Sequence, residues 1–196
     1  MMKKVFFTFL MVFIILRVSA QNWNWAISSV GDDIEAKDLT TDRSGNIYVT
    51  GYFRDSMNVF GNKQFVGNMY HMIFLAKVDS SGNFLWAKAI GEIGAVDKEA
   101  WAIVSDGSGN IYIGGEFRDS AKFGNITLYE SGSNTQGDIF IAKYDPSGNV
   151  LWAKQAGWDE RDNVYAMDID DANNIYITGY SQLGRFGGFG GVKLTE

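Results

Sequence analysis

The sequence predicts an all-β fold, because two patterns of strand-forming residues alternate along the chain. The first pattern, NIYVTG at 46–51, returns in similar form at 110–115 and again, at the same interval, at 174–179. The second pattern, IFLAKVD at 73–79, returns at 139–145 after nearly the same interval. β-Branched and aromatic residues dominate both patterns, and Asp, Ser, Gly and Asn bound them, as is typical of short strands and tight turns.

Each repeat unit is predicted to contain four antiparallel strands, which we name A to D in chain order. Strands A and B are clearest at 164–170 and 174–180, and strands C and D at 139–145 and 149–155. Four strands repeated at this interval fit a propeller blade better than a solenoid coil, whose repeats usually hold about 20 to 45 residues. The sequence therefore predicts tandem four-stranded antiparallel blades of a β-propeller, about three in number. The three units are expected near 36–90, 100–155 and 164–196.

The turns between paired strands carry a repeated Asp-x-Ser-Gly-Asn motif. Four copies begin at Asp42, Asp79, Asp106 and Asp145. The Asp side chain is expected to cap the turn, while Gly takes the left-handed conformation of a bulged hairpin. A fifth copy, from Asp170, has Asn173 in place of Gly. Asn is the non-glycine residue best suited to that conformation, so the replacement supports the predicted turn.

The repeated phrases also resemble a known family. GNIYVTGYF, DIFIAKYDPSGNVLWAKQ and the Phe-Gly pairs at 60–61 and 123–124 are similar to the bacterial β-propeller repeat family known as SBBP. The resemblance covers nearly the whole chain after its N-terminal segment. It implies the propeller fold, and it implies little about a ligand because that family is defined by its repeat.

The first 20 residues have the pattern of a secretory signal peptide. Lys3 and Lys4 precede an apolar run at 5–16, and Val-Ser-Ala at 18–20 forms a small-residue cleavage pattern. The run is shorter than the roughly 20 residues of a membrane-spanning helix, so no membrane span is expected. We therefore expect a signal peptide at 1–20, a repeat domain at 21–196, and export to the extracellular space, the cell surface or the periplasm.

Charge and cysteine content exclude several function classes. Without the predicted signal peptide, the 17 basic residues fall to 14 against 23 acidic ones, which leaves a net charge of −9. Such a charge repels phosphate backbones, so nucleic acid is not an expected partner. The absence of cysteine excludes disulfides and thiolate catalysis. The single histidine, His71, has no repeat counterpart and no Gly-x-Ser-x-Gly elbow beside it, which argues against a serine-hydrolase triad.

The two ends of the repeat region are expected to be complementary. Residues 22–31, which include Trp25, resemble strand D and its exit at 85–91, whereas 192–194 occupy the place of strand C. The predicted order is therefore D, ABCD, ABCD, ABC, and unpaired sheet edges favour further strand pairing. Two interpretations stay open: the chain is a homodimer that completes a six-bladed ring, or it is a truncated propeller.

Ligands are expected at the longer B–C and D–A connections, because binding residues concentrate on loops held by a rigid scaffold. Trp101, Trp158 and Tyr165 are candidates for stacking on a sugar or peptide. Arg54, Arg118 and Glu116 are candidates for polar contacts. The candidate acids of the D–A connections are Glu92, Asp97, Asp159, Glu160 and Asp162. By contrast, Trp86 and Trp152 recur at one strand position and are expected to pack the blades.

No catalytic residue or cofactor is predicted. Calcium stays open because loop carboxylates suit hard cations, but no turn matches the Asp-x-Asp-x-Asp-Gly loop, and capping explains the turn aspartates. We favour a secreted or surface-exposed binding or scaffold module for a glycan or protein, since most acids recur whereas a catalytic site is one asymmetric constellation. The alternative is an extracellular carbohydrate-active hydrolase or lyase that uses loop carboxylates, with or without calcium.

Overall fold

A computed structural model describes residues 24–31, 33–59, 63–91, 96–131, 136–157 and 161–181 of the chain. Within these ranges every regular element is a β-strand, which confirms the predicted all-β fold class. The same ranges hold no helix with the length and apolar character needed to cross a lipid bilayer. The predicted signal peptide at 1–20 and the predicted strand C at 192–194 lie outside the described residues.

The strands follow the predicted repeat. The first unit contains β1 (Val30–Gly31), β2 (Glu35–Thr41), β3 (Ile47–Phe53), β4 (Ser56–Val59), β5 (Lys63–Val66), β6 (Met72–Val78) and β7 (Phe84–Ile90). The second contains β8 (Lys98–Ser105), β9 (Ile111–Phe117), β10 (Ser120–Phe123), β11 (Ile126–Tyr129), β12 (Asp138–Tyr144) and β13 (Val150–Ala156). The third contains β14 (Asp162–Ile169) and β15 (Ile175–Ser181).

Two four-stranded antiparallel sheets form the first two units. Their orders are β2-β3-β6-β7 and β8-β9-β12-β13, which are the predicted strands A, B, C and D side by side. In the third unit β14 pairs with β15 as strands A and B. Each strand pairs with the next strand of its sheet along the chain, across tight turns between A and B and between C and D and across a longer connection between B and C.

The B–C connections differ from the sequence expectation. Loops were expected at 54–72 and 118–138, yet each connection contains a two-stranded hairpin, β4–β5 in the first unit and β10–β11 in the second. Met57, Val59 and Phe123 alternate with exposed positions and are buried. An alternation confined to so short a strand is difficult to distinguish from a loop in the sequence.

Neighbouring units pack face to face. We call the sheet surface turned toward the following unit its downstream face, and the opposite surface its upstream face. The downstream face of the first unit packs on the upstream face of the second, and the second packs on the third in the same way. The first contact joins Tyr48, Ile73 and Leu75 to Ile103, Ile111 and Ile113, and the second joins Tyr112, Ile139 and Ile141 to Val164, Ile175 and Ile177. Each fully buried side chain of this size contributes about 1.5–3 kcal/mol.

The turn motif is tied together by its aspartate. Asp42 Oδ1 accepts the backbone N–H groups of Ser44 and Asn46 at 2.9 and 3.0 Å, and its Oδ2 accepts the Asn46 amide at 2.7 Å and the Tyr48 hydroxyl at 3.1 Å. The turns from Asp106 and Asp170 repeat this pattern, including the tyrosine. The predicted capping is therefore confirmed.

The left-handed position of the turn is also as predicted. Gly45 has a φ of 78°, and its replacement in the fifth turn, Asn173, has a φ of 62°. Glycine reaches this region without a steric penalty, and asparagine tolerates it better than other side chains do. The one substituted turn thus keeps the backbone of the other four.

The segment before the first unit occupies the place of a strand D without forming one. Residues 24–29 carry no strand, and β1 pairs with β4 instead, through Val30 and Gly31. Trp25 nevertheless matches Trp86 in its contacts with a C–D turn. Trp25 Nε1 donates to the Ser80 carbonyl at 3.1 Å, and Trp86 Nε1 donates to the Pro146 carbonyl at 3.2 Å, where Ser80 and Pro146 are the second residues of their turns.

Trp86 and Trp152 pack the units as expected. The rings of Tyr48 and Trp86 have centroids 6.1 Å apart, and those of Tyr112 and Trp152 are 5.9 Å apart. Both tryptophans are partly buried against the contacts between units. Their recurrence therefore reflects packing between units. Trp101, which lies in strand A, does not share this strand D position.

Candidate ligand-binding site

A β-bulge interrupts strand A at the same position in all three units. Lys37 in β2, Trp101 in β8 and Tyr165 in β14 are each passed over where the pairing with strand B shifts register. A bulge adds one residue to one strand and redirects its side chain. We call these three residues, one from each unit, the bulge row. They share one backbone position and differ in chemistry.

The bulge row is a continuous set of contacts, because the A strands of neighbouring units pack against one another. Lys37 Nζ lies 4.0 Å from the centroid of the Trp101 ring, and the Trp101 and Tyr165 rings meet edge to face with centroids 6.1 Å apart. A cation over an aromatic ring contributes about 0.5–2 kcal/mol, depending on its exposure. The row therefore presents an ammonium group, an indole and an exposed phenol along one edge of the repeat.

Unused hydrogen-bonding groups lie in this row and just before it in the chain. Trp101 Nε1 is buried and has no hydrogen-bond partner, and the same holds for both amide atoms of Asn163, two residues before Tyr165. The Asn163 residue is only 1% exposed. A buried polar group without a partner costs about 1–3 kcal/mol, and such groups are rare in folded proteins. Trp101 and Asn163 thus hold, in buried positions, an unused indole donor and an amide whose donor and acceptor are both unused.

The residues equivalent to Asn163 in the other two units are satisfied. Glu35 Oε1 lies 2.8 Å from Lys37 Nζ, and Glu35 Oε2 accepts the Tyr52 hydroxyl at 2.6 Å. Hydrogen bonds from Lys37 and then Tyr52 lower the pKa of Glu35. Glu99 accepts a 2.6 Å hydrogen bond from the His71 ring, yet burial outweighs that bond and raises the pKa of Glu99. Only the third unit therefore leaves this position without a described partner.

His71 links the first unit to the second. Its Nδ1 lies 2.6 Å from Glu99 and its Nε2 lies 3.3 Å from Asp33, while its ring stacks on Tyr52 with centroids 4.2 Å apart. Both ring nitrogens of this histidine are thus engaged with carboxylates. This arrangement is a cross-link between units.

The predicted site residues Arg54, Arg118 and Asp97 lie around this cross-link. Arg54 pairs with Asp33 at 2.6 Å, and Asp97 Oδ1 accepts the His71 backbone N–H at 2.9 Å. The Arg118 backbone N–H donates to the Asp97 carbonyl at 3.2 Å. The structure therefore brings these residues together, and it gives Arg54 and Asp97 internal partners.

A second ion pair spans the contact between the second and third units. Arg161 Nη2 and Nε lie 2.9 and 3.1 Å from the two carboxylate oxygens of Glu116. Glu116 is buried, and its carboxylate raises the pKa of Arg161. A two-point contact of this kind fixes the orientation of the guanidinium group. It holds the start of β14 against the end of β9, next to the bulge row.

Asp162, another predicted site residue, is buried rather than exposed. It lies close to Asp138, which is also buried, and one oxygen of each carboxylate has no hydrogen-bond partner. Burial raises the pKa of Asp138 despite the 2.8 Å hydrogen bond from Ser131, and the charges of Glu130 and Asp162 add to the rise. In the described part of the chain, no group of three or more His, Asp or Glu side chains has the arrangement of a metal site.

The remaining predicted site residues cannot be placed in this geometry. Trp158, Asp159, Glu160 and Glu92 lie outside the described residues. Sequence reasoning missed Lys37 and Asn163. Lys37 stands in the first unit where Trp101 stands in the second, so an alignment of the three units at that position would have found it. No comparable signal marks Asn163, because its interest lies in the missing hydrogen bonds.

The repeat and sheet order define a class, the β-propeller repeat proteins. The family described as a β-propeller repeat, SBBP, matches residues 27–52, which include β2, and residues 151–186, which include β14 and β15. These two stretches are β-propeller repeats, which confirms the resemblance seen in the sequence.

Two curated proteins are similar to this chain. An uncharacterised WD repeat-containing protein of Acanthamoeba polyphaga mimivirus is 30% identical over 189 residues, which cover 80% of this chain and 12% of that protein. The regulatory protein FlaEY of Caulobacter vibrioides is 28% identical over 110 residues, which cover 56% of this chain and 11% of that protein. The chain thus spans a small part of the length of either relative.

One solved structure is also similar. A protein of unknown function from Bacteroides caccae aligns over 73% of this chain and 52% of its own, with 9% identity and a TM-score of 0.28. The repeat match and the WD-repeat relative together support a coarse description of this chain as a repeat scaffold of the kind that serves as a binding module.

Proposed function

We propose that this repeat scaffold binds a carbohydrate on the edge where its three A strands meet, and that the bulge row is the contact surface. The observation that carries the proposal is the pair of unpartnered groups, Trp101 Nε1 and the Asn163 amide, together with the edge-to-face contact of the Trp101 and Tyr165 rings. Binding sites commonly combine aromatic surface with a few convergent polar groups.

Carbohydrate is favoured over peptide by the chemistry of those groups. A sugar hydroxyl both donates and accepts hydrogen bonds, so it matches the Asn163 amide, which offers one group of each kind. The apolar face of a pyranose ring also suits an exposed aromatic side chain such as Tyr165. The acidic charge of the chain argues against a phosphorylated or nucleic-acid ligand.

We further propose that binding takes place outside the cytoplasm. The N-terminal pattern of Lys3 and Lys4, an apolar run and small residues at 18–20 supports export. Expression of the full chain in a bacterium, followed by fractionation and mass spectrometry of the N-terminus, tests this part. We expect cleavage after Ala20 and recovery outside the cytoplasm. A full-length protein retained in the cytoplasm would contradict export without affecting the binding proposal.

A glycan array with the purified chain tests the ligand class, and isothermal titration calorimetry of the strongest glycan tests the site. Trp101→Phe keeps a ring and removes the Nε1 donor, and Asn163→Leu removes both amide groups. We expect each to weaken binding at least about tenfold, the effect of one lost hydrogen bond to a buried group. Leu151→Ala, on the exposed side of β13, is the control. Unchanged affinity in both site variants would overturn the proposal, and so would an array that yields only peptide-dependent binding.

A further inference from the structure

The described residues leave the upstream face of the first unit largely uncovered, and the second unit shows what covers such a face. Leu39 on β2 is 60% exposed, whereas its equivalent in the second unit, Ile103, is 2% exposed. Val49 is only partly buried, and its equivalent Ile113 is fully buried. The difference arises because the first unit covers Ile103 and Ile113, and none of the described residues covers Leu39 in the same way.

This open face forms a hollow rather than a flat surface. A cavity of 470 Å³ lies between it and the segment that contains Trp25, and its walls are mainly apolar, with Leu39, Val49 and Phe74 among them. Trp25 stands where the strand D tryptophan of a preceding unit would stand. The first unit is therefore shaped to receive another unit of the same kind. Contiguous exposed apolar surface of this sort marks interaction sites.

The downstream face of the third unit is the complementary surface. Tyr176 occupies the position of Tyr48 and Tyr112, and its hydroxyl is bonded to the turn aspartate at 2.9 Å, as in the two earlier copies. Tyr48 and Tyr112 are 0% exposed beneath the following unit, whereas Tyr176 is 41% exposed. The third unit thus holds its tyrosine in the orientation that the other two use for contact.

We propose that the upstream face of the first unit binds the downstream face of the third unit of a second copy of this chain. The contact repeats the one that joins the second unit to the third within one chain, where Tyr112 packs toward Ile175 and Ile177. Two such contacts, related by a two-fold axis, close a ring of six units, within the usual range of roughly 4 to 8 blades. The same chain supplies both surfaces, so a second copy provides the occupant.

Size-exclusion chromatography with light scattering, over a dilution series of the full chain, tests the proposal. We expect a species of twice the mass of one chain that dissociates on dilution. Leu39→Lys and Tyr176→Glu each place a charge in both contacts of the ring. If each contact loses about tenfold in affinity, the dissociation constant rises about 100-fold. Leu151→Lys, on strand D and 50% exposed, is the matched control and should dimerise as the parent chain does.

A mixture of the Leu39→Lys and Tyr176→Glu variants separates this head-to-tail contact from other modes of association. The mixed dimer retains one intact contact, between Tyr176 of the first variant and Leu39 of the second. Its other contact brings the two substituted positions together with opposite charges, so mixing should restore part of the dimer. A monomeric parent chain at every soluble concentration would overturn the proposal. A dimer that survives both substitutions would overturn it too. Circular dichroism of each variant checks that the exposed substitutions leave the strands folded.

Discussion

Lys37 Nζ lies 4.0 Å above the Trp101 ring, although the two residues occupy the same position of consecutive repeat units. The repeat sets the backbone position of the bulged residue. The side chain at that position differs between units, so each unit contributes a different chemical group. Function in this chain is therefore to be sought where equivalent positions differ, and the bulge row is the clearest such position in the described residues.

Removal of the Lys37 charge should destabilise the contact between the first two units. Lys37→Met loses the cation over the Trp101 ring, so we expect the free energy of unfolding to fall by about 1 kcal/mol. Urea titration measures it. Lys154→Met is the control, because Lys154 lies 5.2 Å from the Trp152 ring on the outer strand. An equal fall in the free energy of unfolding of the two variants would show that the contact of Lys37 with the Trp101 ring does not stabilise the fold more than the exposed contact of Lys154.

The buried turn aspartate should matter more than an exposed one. Asp106→Ala leaves two backbone N–H groups, an amide and the Tyr112 hydroxyl without their acceptor, which should cost about 2–4 kcal/mol. Asp79→Ala removes the same cap without a tyrosine and at an exposed site, so its loss should be smaller. Thermal unfolding of both variants gives the comparison. A larger loss for Asp79→Ala would refute the reasoning.

Acid should weaken the fold through these turns. The Asn174 amide and backbone N–H groups lower the pKa of Asp170 to about 2 from the usual 3.8, and hydrogen bonds outweigh burial to lower the pKa of Asp106. The unfolded state then binds protons more readily, so this stability is complete above about pH 4 and is lost as pH falls toward 2. Urea midpoints at intervals between pH 5 and pH 2 should decrease. A constant midpoint across that window would exclude the turns as the cause.

The ionised carboxylate of Asp138 should destabilise the fold, in contrast to the ionised turn aspartates. Burial raises the pKa of Asp138, so its charged form opposes folding at neutral pH and that cost diminishes as pH falls. Asp138→Asn keeps an oxygen to accept the Ser131 N–H, and we expect it to raise the free energy of unfolding by about 1 kcal/mol at pH 7. Asp145→Asn, at a capped turn, should lower it. Urea titration at pH 7 distinguishes the two, and a destabilised Asp138→Asn variant would contradict the assignment.

The fold was predictable wherever a feature recurs. The turn from Asp42 and the strand B tyrosine Tyr48 return in each of the three units at one fixed interval, so pattern alone located the strands to within a few positions. The β4–β5 hairpin was missed because Met57 and Val59 provide only one alternation in a short strand. The local sequence is too short there to indicate a strand, and the hairpin is stabilised by packing against the first sheet.

The candidate site was predictable in part. Trp101 stood out as a tryptophan without a repeat counterpart, and the structure places it in contact with Lys37 and Tyr165. Asn163 did not stand out, because an asparagine in a strand has no distinctive sequence signal. Asp162 was expected in a D–A connection, whereas it begins β14 and is buried there. Its backbone N–H donates to the Gly137 carbonyl at 3.0 Å.

The bulge in each A strand has a consequence for how such a chain diversifies. Every unit has its own turn cap, its own bulge and its own pair of packing faces. Duplication or exchange of a whole unit therefore moves one residue of the bulge row together with the strands that hold it. Recombination at the boundaries between units can therefore change the order of the side chains in the bulge row, while each unit keeps the hydrophobic residues of its packing faces.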